Sequence, residues 1–301
     1  MARVLLTRAP EIEDQMFKFK ELSKPTQLSV LWIGLMMFLA VFGSLLPFEH
    51  WTFVYEDALG VTPFSPGHIL GTDNNGYDLL TSVISGTRMS IFIAITAVGL
   101  GGLVGSALGI TAAFVRGKID LVLSTAFNVG LAIPNLVLAL ALVSVLATNV
   151  DMTEVVPIWR RVTVLVISLT IVLIPILGRI ARGATLTWSG REFVTAARSM
   201  GMRDMQIIRK HIVPNVLPAL IAVAFLAVGV VIIAEASLSL LGVGIPDGGS
   251  WGGMIARGRN DLEYSPHVLY VPVIFLAITV ISTNHIGEVL RGRLDGRESK
   301  V

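Results

Sequence analysis

The chain has 301 residues, 53% of them hydrophobic and only 15% charged, with no cysteine and a formal net charge of +2. A mean hydropathy of +0.76, with the apolar residues gathered into long blocks, excludes an ordinary soluble domain, in which about a quarter of residues are charged. Zero cysteines exclude disulfides, thiolate metal sites and cysteine nucleophiles. The basic residues sit in loops between apolar blocks, so no nucleic acid is expected as a partner.

Six apolar segments predict an all-α polytopic membrane protein. Residues 1–27 are charged throughout and form an N-terminal segment too long and too acidic for the n-region of a signal peptide. The first span, 28–46, is therefore read as a retained membrane helix: its uncharged run rises about 28 Å as a helix. An outer loop follows at 47–90. In it Trp51, Phe53 and Tyr55 suit an interfacial aromatic belt. Asp73, Asp78 and Arg88 are candidates to hold a structured loop against an outside partner, or, in the plainer reading, to cap turns together with Thr72.

The remaining spans lie within a core at 91–286. The second, 91–115, is glycine-rich; Gly101, Gly105 and Gly109 form small-xxx-small pairs that permit close helix contact, as internal packing or as a subunit seam. The third, 121–146, carries Pro134, and the fourth, 162–178, carries Pro175. The fifth, 216–241, contains Glu235, and the sixth, 268–286, contains Pro272. Residues 287–301 form a tail. With the N-terminus inside, 18 of the 23 Lys and Arg fall on inner segments: five before the first span, two at 116–120, seven at 179–215 and four at 287–301. Five fall outside. This asymmetry places both termini in the cytoplasm.

The inner loop 179–215 carries its own helix signals. Ser189 and Glu192 have capping-box spacing, with Trp188 and Phe193 at the staple positions. Phe193, Ala196, Ala197 and Met200 recur at i, i+3, i+4 and i+7 as one apolar stripe. Gly201 ends that run, a second short helix follows through Met205 and Ile208, and Pro214 favours a break before the fifth span. Two readings stand: an interfacial helix whose arginines, Arg203 among them, meet anionic membrane lipid, or a knob whose stripe docks in a partner's groove.

Glu235 is the one acidic residue well inside a span, and it is read as a hydrogen-bonded structural group, a pathway residue or a proton carrier. Ser237 and Ser239 accompany it as pathway or gate candidates. Trp251, set among glycines after Pro246, is read as part of a sealing or docking hairpin or as an interfacial anchor. The five histidines have no metal-ligand spacing, so no metal site is expected. No phosphate-binding GxxxxGK[ST] loop occurs, so no nucleotide chemistry is expected in this chain.

Several stretches share a pattern with one family: TAARSMG at 195–201 with Pro214 in HIVPN at 211–215, GTDNNGYD at 71–78 with GTRMS at 86–90, AEASLSLLGVGIPDGGSWGGMI at 234–255, and DGR at 295–297. Over about residues 25–297 the chain resembles permease subunits of ATP-binding-cassette importers, in particular the C-type subunit of the dipeptide/oligopeptide/nickel group. Thr195 stands where that family usually has glutamate, and Tyr77 where it usually has arginine. The resemblance implies a type I importer transmembrane domain and a homologous permease as partner. It also implies two ATPase subunits that bind ATP and Mg²⁺, and an extracytoplasmic solute-binding protein. It maps the coupling helix onto Glu192–Lys210, with Glu192, Phe193, Ala196, Ala197, Met200, Gly201, Arg203 and Pro214 as coupling residues. The cargo implied is a di- or oligopeptide; the same architecture carrying nickel or another metal chelate, and an autonomous secondary carrier, are the alternatives.

Overall fold

The computed structural model describes residues 22–47, 49–147, 157–245 and 248–298, with side chains as far as Arg293. Among them the regular structure is helical, with only three isolated β-bridges, all in the outer loop. Five helices are long and apolar enough to cross a membrane, and a sixth crossing results if one bent pair counts as a span.

Helix α1 (Lys24–Phe42) starts four residues before the predicted span and carries Pro25 in its first turn, where the missing N–H costs no hydrogen bond. It is clipped to α10 (His267–Glu298) by Trp32 Nε1 donating to Thr279 Oγ1 at 2.9 Å and by Thr26 paired with His285 at 3.0 Å. Helix α2 (Leu79–Val115) has 37 residues, about 55 Å of helix. It therefore takes in the last turns of what the sequence assigns to the outer loop. Asp78 caps it, its side chain accepting from the Thr81 amide at 3.0 Å.

The tightest seam of the bundle joins α2 to α5 (Ile158–Ser189). A Cβ on Gly101 would lie 2.8 Å from Leu173 Cβ, one on Gly105 would lie 2.6 Å from the Ile174 carbonyl oxygen, and one on Gly109 would strike the Gly178 carbonyl. The small-residue face of α2 thus serves packing within the chain. Backbone cannot yield as a side-chain tip can, so Gly105→Leu is expected to cost more than the 1–3 kcal/mol typical of overpacking. The yield of monodisperse subunit should collapse for Gly105→Leu and stay normal for Gly99→Leu, whose Cβ would meet nothing within 4 Å.

The predicted third span is not one helix. Gly117–Ala132 (α3) and Asn135–Ala147 (α4) meet at 93°. Pro134 is the cause: it disfavours helical geometry at Ile133, which is extended with φ −87° and ψ 129°. After α5, a short helix α6 (Glu192–Ser199) and the turn α7 (Asp204–Ile207) make an elbow. From there the chain runs through a π-helical turn, Ile208–Ile212, straight into α8 (Val213–Leu240). Pro214 therefore does not break the chain before the fifth span. It sits in the first turn of α8, and the π turn ahead of it gives the ring room. Helix α9 (Trp251–Gly258) then packs among α2, α8 and α10.

Candidate functional site

The elbow α6–α7 is held from beneath. Val194, Ala197, Ile207 and Ile212 are buried against Ile110 and Phe114 of α2 and Ala181 of α5. Arg198 spans the joint, its guanidinium 5.1 Å from the Phe114 ring centre and 3.7 Å from Asp204. The outward surface carries Phe193, Ala196, Met200 and Met205, with Met200 76% and Met205 72% exposed. The predicted stripe is thereby divided: Phe193, Ala196 and Met200 face out, while Ala197 belongs to the anchor. Thr195 is exposed beside Ala196.

The expected cap is not formed. Ser189 ends α5 and its hydroxyl donates back to the Leu186 carbonyl at 3.3 Å, while Arg191 occupies the N-cap of α6 without a side-chain bond. Helix α5 runs on to Ser189, which takes that serine's backbone out of the geometry a cap needs. Glu192 instead starts α6, where its charge suits the helix N-terminus. The staple pair does meet, with Trp188 and Phe193 ring centres 6.3 Å apart. The rigidity of the elbow comes from its glycine. Gly201 has φ +80°, and the Met202 amide bonds to the Ala197 carbonyl at 3.1 Å while the Gly201 amide bonds to that of Arg198 at 2.9 Å. This is a Schellman ending, for which glycine is the favoured residue. Arg203 then opens α7, its amide held by Gln206 Oε1 at 3.2 Å.

At the opposite end of the bundle Glu235 is 1% exposed. Ser250 and Ser239 hydroxyls donate to its Oε1 at 2.7 and 3.0 Å, and Ser90 donates to Oε2 at 3.4 Å. The Trp251 amide in turn donates to Ser90 Oγ at 3.1 Å, and its indole N–H to the Val83 carbonyl at 3.2 Å. Trp251 is fully buried, over Gly86. Glu235, Ser239 and Trp251 thus form one enclosed hub joining α2, α8 and α9. They do not line a wet surface, and Trp251 is no interfacial anchor. Ser237 lies outside the hub, its hydroxyl bonded to the Ile233 carbonyl at 2.8 Å. Pro246, the residue expected to open this hairpin, lies outside the described residues.

The outer loop is organised from within. Asp73 is 0% exposed, accepts from the Asn75 and Tyr77 amides at 3.0 and 2.8 Å, and pairs with Arg257 at 3.0 Å. Arg257 also lies 4.7 Å over the Tyr77 ring. Asp78, 6% exposed, meets His68 at 2.9 Å. Both carboxylates are therefore spent inside the loop, Asp73 on turn amides and Asp78 as the cap of α2, which is the turn-capping reading of them and not that of groups offered on a docking surface. Arg88 stands apart, exposed in a cleft of about 270 Å³ with Trp51 and His50 between the outer ends of α1 and α2.

A family model described as the binding-protein-dependent transport system inner membrane component matches residues 105–300. The chain belongs to this family. Among curated relatives, the glutathione transport system permease protein GsiD of Pectobacterium atrosepticum is 32% identical over 252 residues, 83% of this chain and 79% of the relative. The dipeptide transport system permease protein DppC of Alkalihalophilus pseudofirmus is 32% identical over 235 residues, 77% and 72% of the two chains. The fold is likewise that of an importer transmembrane domain. An inward-facing structure of the MetNI methionine ABC transporter aligns with TM-score 0.59 at 19% identity, covering 71% of this chain and 97% of that one.

Sequence reasoning about this permease missed two long-range pairs. One is Asp73–Arg257. The other is Asp120–Arg182, a fork with bonds of 2.6 and 2.8 Å that ties the start of α3 to α5. Nothing in either segment names the distant partner, so only the tertiary contact reveals the pair.

Proposed function

We propose that this chain is one of two permease subunits of an ATP-driven importer for di- or oligopeptides in the cytoplasmic membrane, with both termini in the cytoplasm. In this reading a homologous permease completes the pathway, an outside binding protein delivers the peptide, and two ATPase subunits carry ATP and Mg²⁺. The chain itself transports and does not hydrolyse nucleotide. The peptide cargo is supported by the permease relatives named for peptide, dipeptide and glutathione transport.

One observation carries the coupling assignment: an apolar surface of Phe193, Ala196, Met200 and Met205 stands exposed on an elbow locked to three helices of the bundle. A rigid mount with soft methionine contacts suits a knob seated in a partner's groove. A push on the elbow reaches α2, α5 and α8 directly through Phe114, Ala181 and Val216. The test is a Phe193→Glu/Met200→Glu subunit purified in mild detergent. It should accumulate normally, lose the ATPase subunits on co-purification and lose uptake. Full retention of ATPases and uptake would remove the elbow from the coupling path.

A further inference from the structure

The break between α3 and α4 sets the first constraint. A helix end and a helix start at the middle of a span leave carbonyl and amide groups without intrahelical partners. Such backbone does not face lipid; it is covered by protein or lines water. Residues 132–137 are nevertheless all exposed in the single chain, Asn135 among them. Asn128, one turn earlier on α3, is exposed too.

Beside the break lies a cleft of about 250 Å³ lined by Ser124, Phe127 and Asn128 of α3 and by Arg179 and Arg182 of α5. Its two arginines differ. Arg182 is neutralised by the fork to Asp120. Arg179 is exposed and has neither ion-pair nor hydrogen-bond partner among the described residues. Phe127 presses on Gly178, where a Cβ would lie 2.6 Å from its Cζ, so the floor of the cleft is closed and the walls keep their spacing. Arg179 stands on α5 just past the inner end of the predicted fourth span, where an unpaired cation faces a wet cavity or reaches for headgroups; next to exposed carboxamides and an open backbone, the wet cavity is the consistent choice.

We propose that Asn128 and Arg179 form an anion-reading cleft on the wall of the transport pathway, which takes the carboxylate of the passing solute. This rests on the reading of the chain as a pathway-forming importer subunit. The Arg179 guanidinium supplies the charge and the Asn128 carboxamide N–H supplies the hydrogen bond, while Ser124, one turn away on the same face of α3, lines the cleft with its hydroxyl donated to the Asp120 carbonyl.

Because the native chain has no cysteine, Asn128→Cys and Ser124→Cys each introduce a single thiol. The experiment uses the full importer in inside-out vesicles. It compares an anionic sulfonatoethyl and a cationic trimethylammonioethyl methanethiosulfonate, each normalised to its rate with free cysteine and read by mass spectrometry of this subunit. Both thiols should react, with the anionic reagent favoured about tenfold. That preference should vanish in Arg179→Gln and persist in Arg179→Lys. Thiols inert to both reagents would overturn the wet wall, and equal rates would overturn the anion site. Proteoliposomes of phosphatidylcholine alone and with phosphatidylglycerol separate the sources of the anion: a preference suppressed by phosphatidylglycerol would assign Arg179 to a lipid phosphate and overturn the solute site. Thiol reactivity is read without transport, so a wild-type complex with no ATP-driven uptake would strike the importer reading and not the cleft.

Discussion

Replacing Gly201 by leucine is expected to leave insertion of the subunit intact and to cut ATP-driven uptake about tenfold or more. The φ of +80° at Gly201 is open to glycine, whereas a Cβ-bearing residue there is strained by roughly 1–2 kcal/mol. A Cβ at this position would meet nothing within 4 Å, so the strain is local and the bundle has no reason to unfold. What changes is the angle between α6 and α7, and with it the surface formed by Phe193, Met200 and Met205. A penalty of that size lowers the ratio of the native elbow to its alternative geometries by a factor of about 5 to 30. Gly201→Asn separates backbone from side-chain causes, because asparagine tolerates left-handed geometry and should retain most of the uptake. Uptake measured in proteoliposomes alongside ATPase turnover decides the matter. A Gly201→Leu importer with wild-type coupled uptake would sink the assignment.

Glu235→Ala is expected to destabilise the folded subunit strongly, whereas Glu235→Gln should be tolerated. The carboxylate accepts hydroxyl hydrogens from Ser90, Ser239 and Ser250 in a site closed to solvent. Alanine would leave those hydroxyls without their acceptor and open a cavity among α2, α8 and α9, a combined loss of about 3–5 kcal/mol. There is no slack to refill the space: a Cβ on Gly252 would already lie 2.6 Å from Ala236 Cα. Glutamine keeps the volume and an amide oxygen for Ser239 and Ser250. Thermal unfolding of the detergent-solubilised importer should show a large drop for alanine and a small one for glutamine. A stable Glu235→Ala complex that no longer transports would instead move Glu235 from scaffold to pathway.

The parts of the molecule that were legible in advance are those set by near neighbours in the chain. Apolar blocks of bilayer length announce spans because the bilayer selects on the composition of each segment separately. Gly201 marks the joint of the elbow, and Phe193 and Trp188 meet as the staple spacing requires, because both are matters of a few adjacent residues. Local signals also misled where a neighbouring element overrode them. Ser189 had the spacing of a cap, but α5 continues to that serine. Pro214 looked like a breaker, but a π turn admits it to the start of α8. Pro134 was visible as a feature of the third span, yet the 93° turn it causes was not, since a proline in a span can kink it or end it.

By itself, the order of residues determined that this is a helical membrane protein of six apolar segments, and through its AEASLSLLGVG and TAARSMG stretches it pointed to the importer permeases. Those properties are local sums of hydropathy and short patterns, and they hold whatever the segments later touch. Only the tertiary structure decided that Trp251 is interior, that Glu235 is the acceptor for a serine 145 positions away, and that Asp120 neutralises Arg182 while Arg179 stays open. The exposure and the partners of each of these side chains depend on which helices the fold presses together, and two segments far apart in the chain carry no record of their contact.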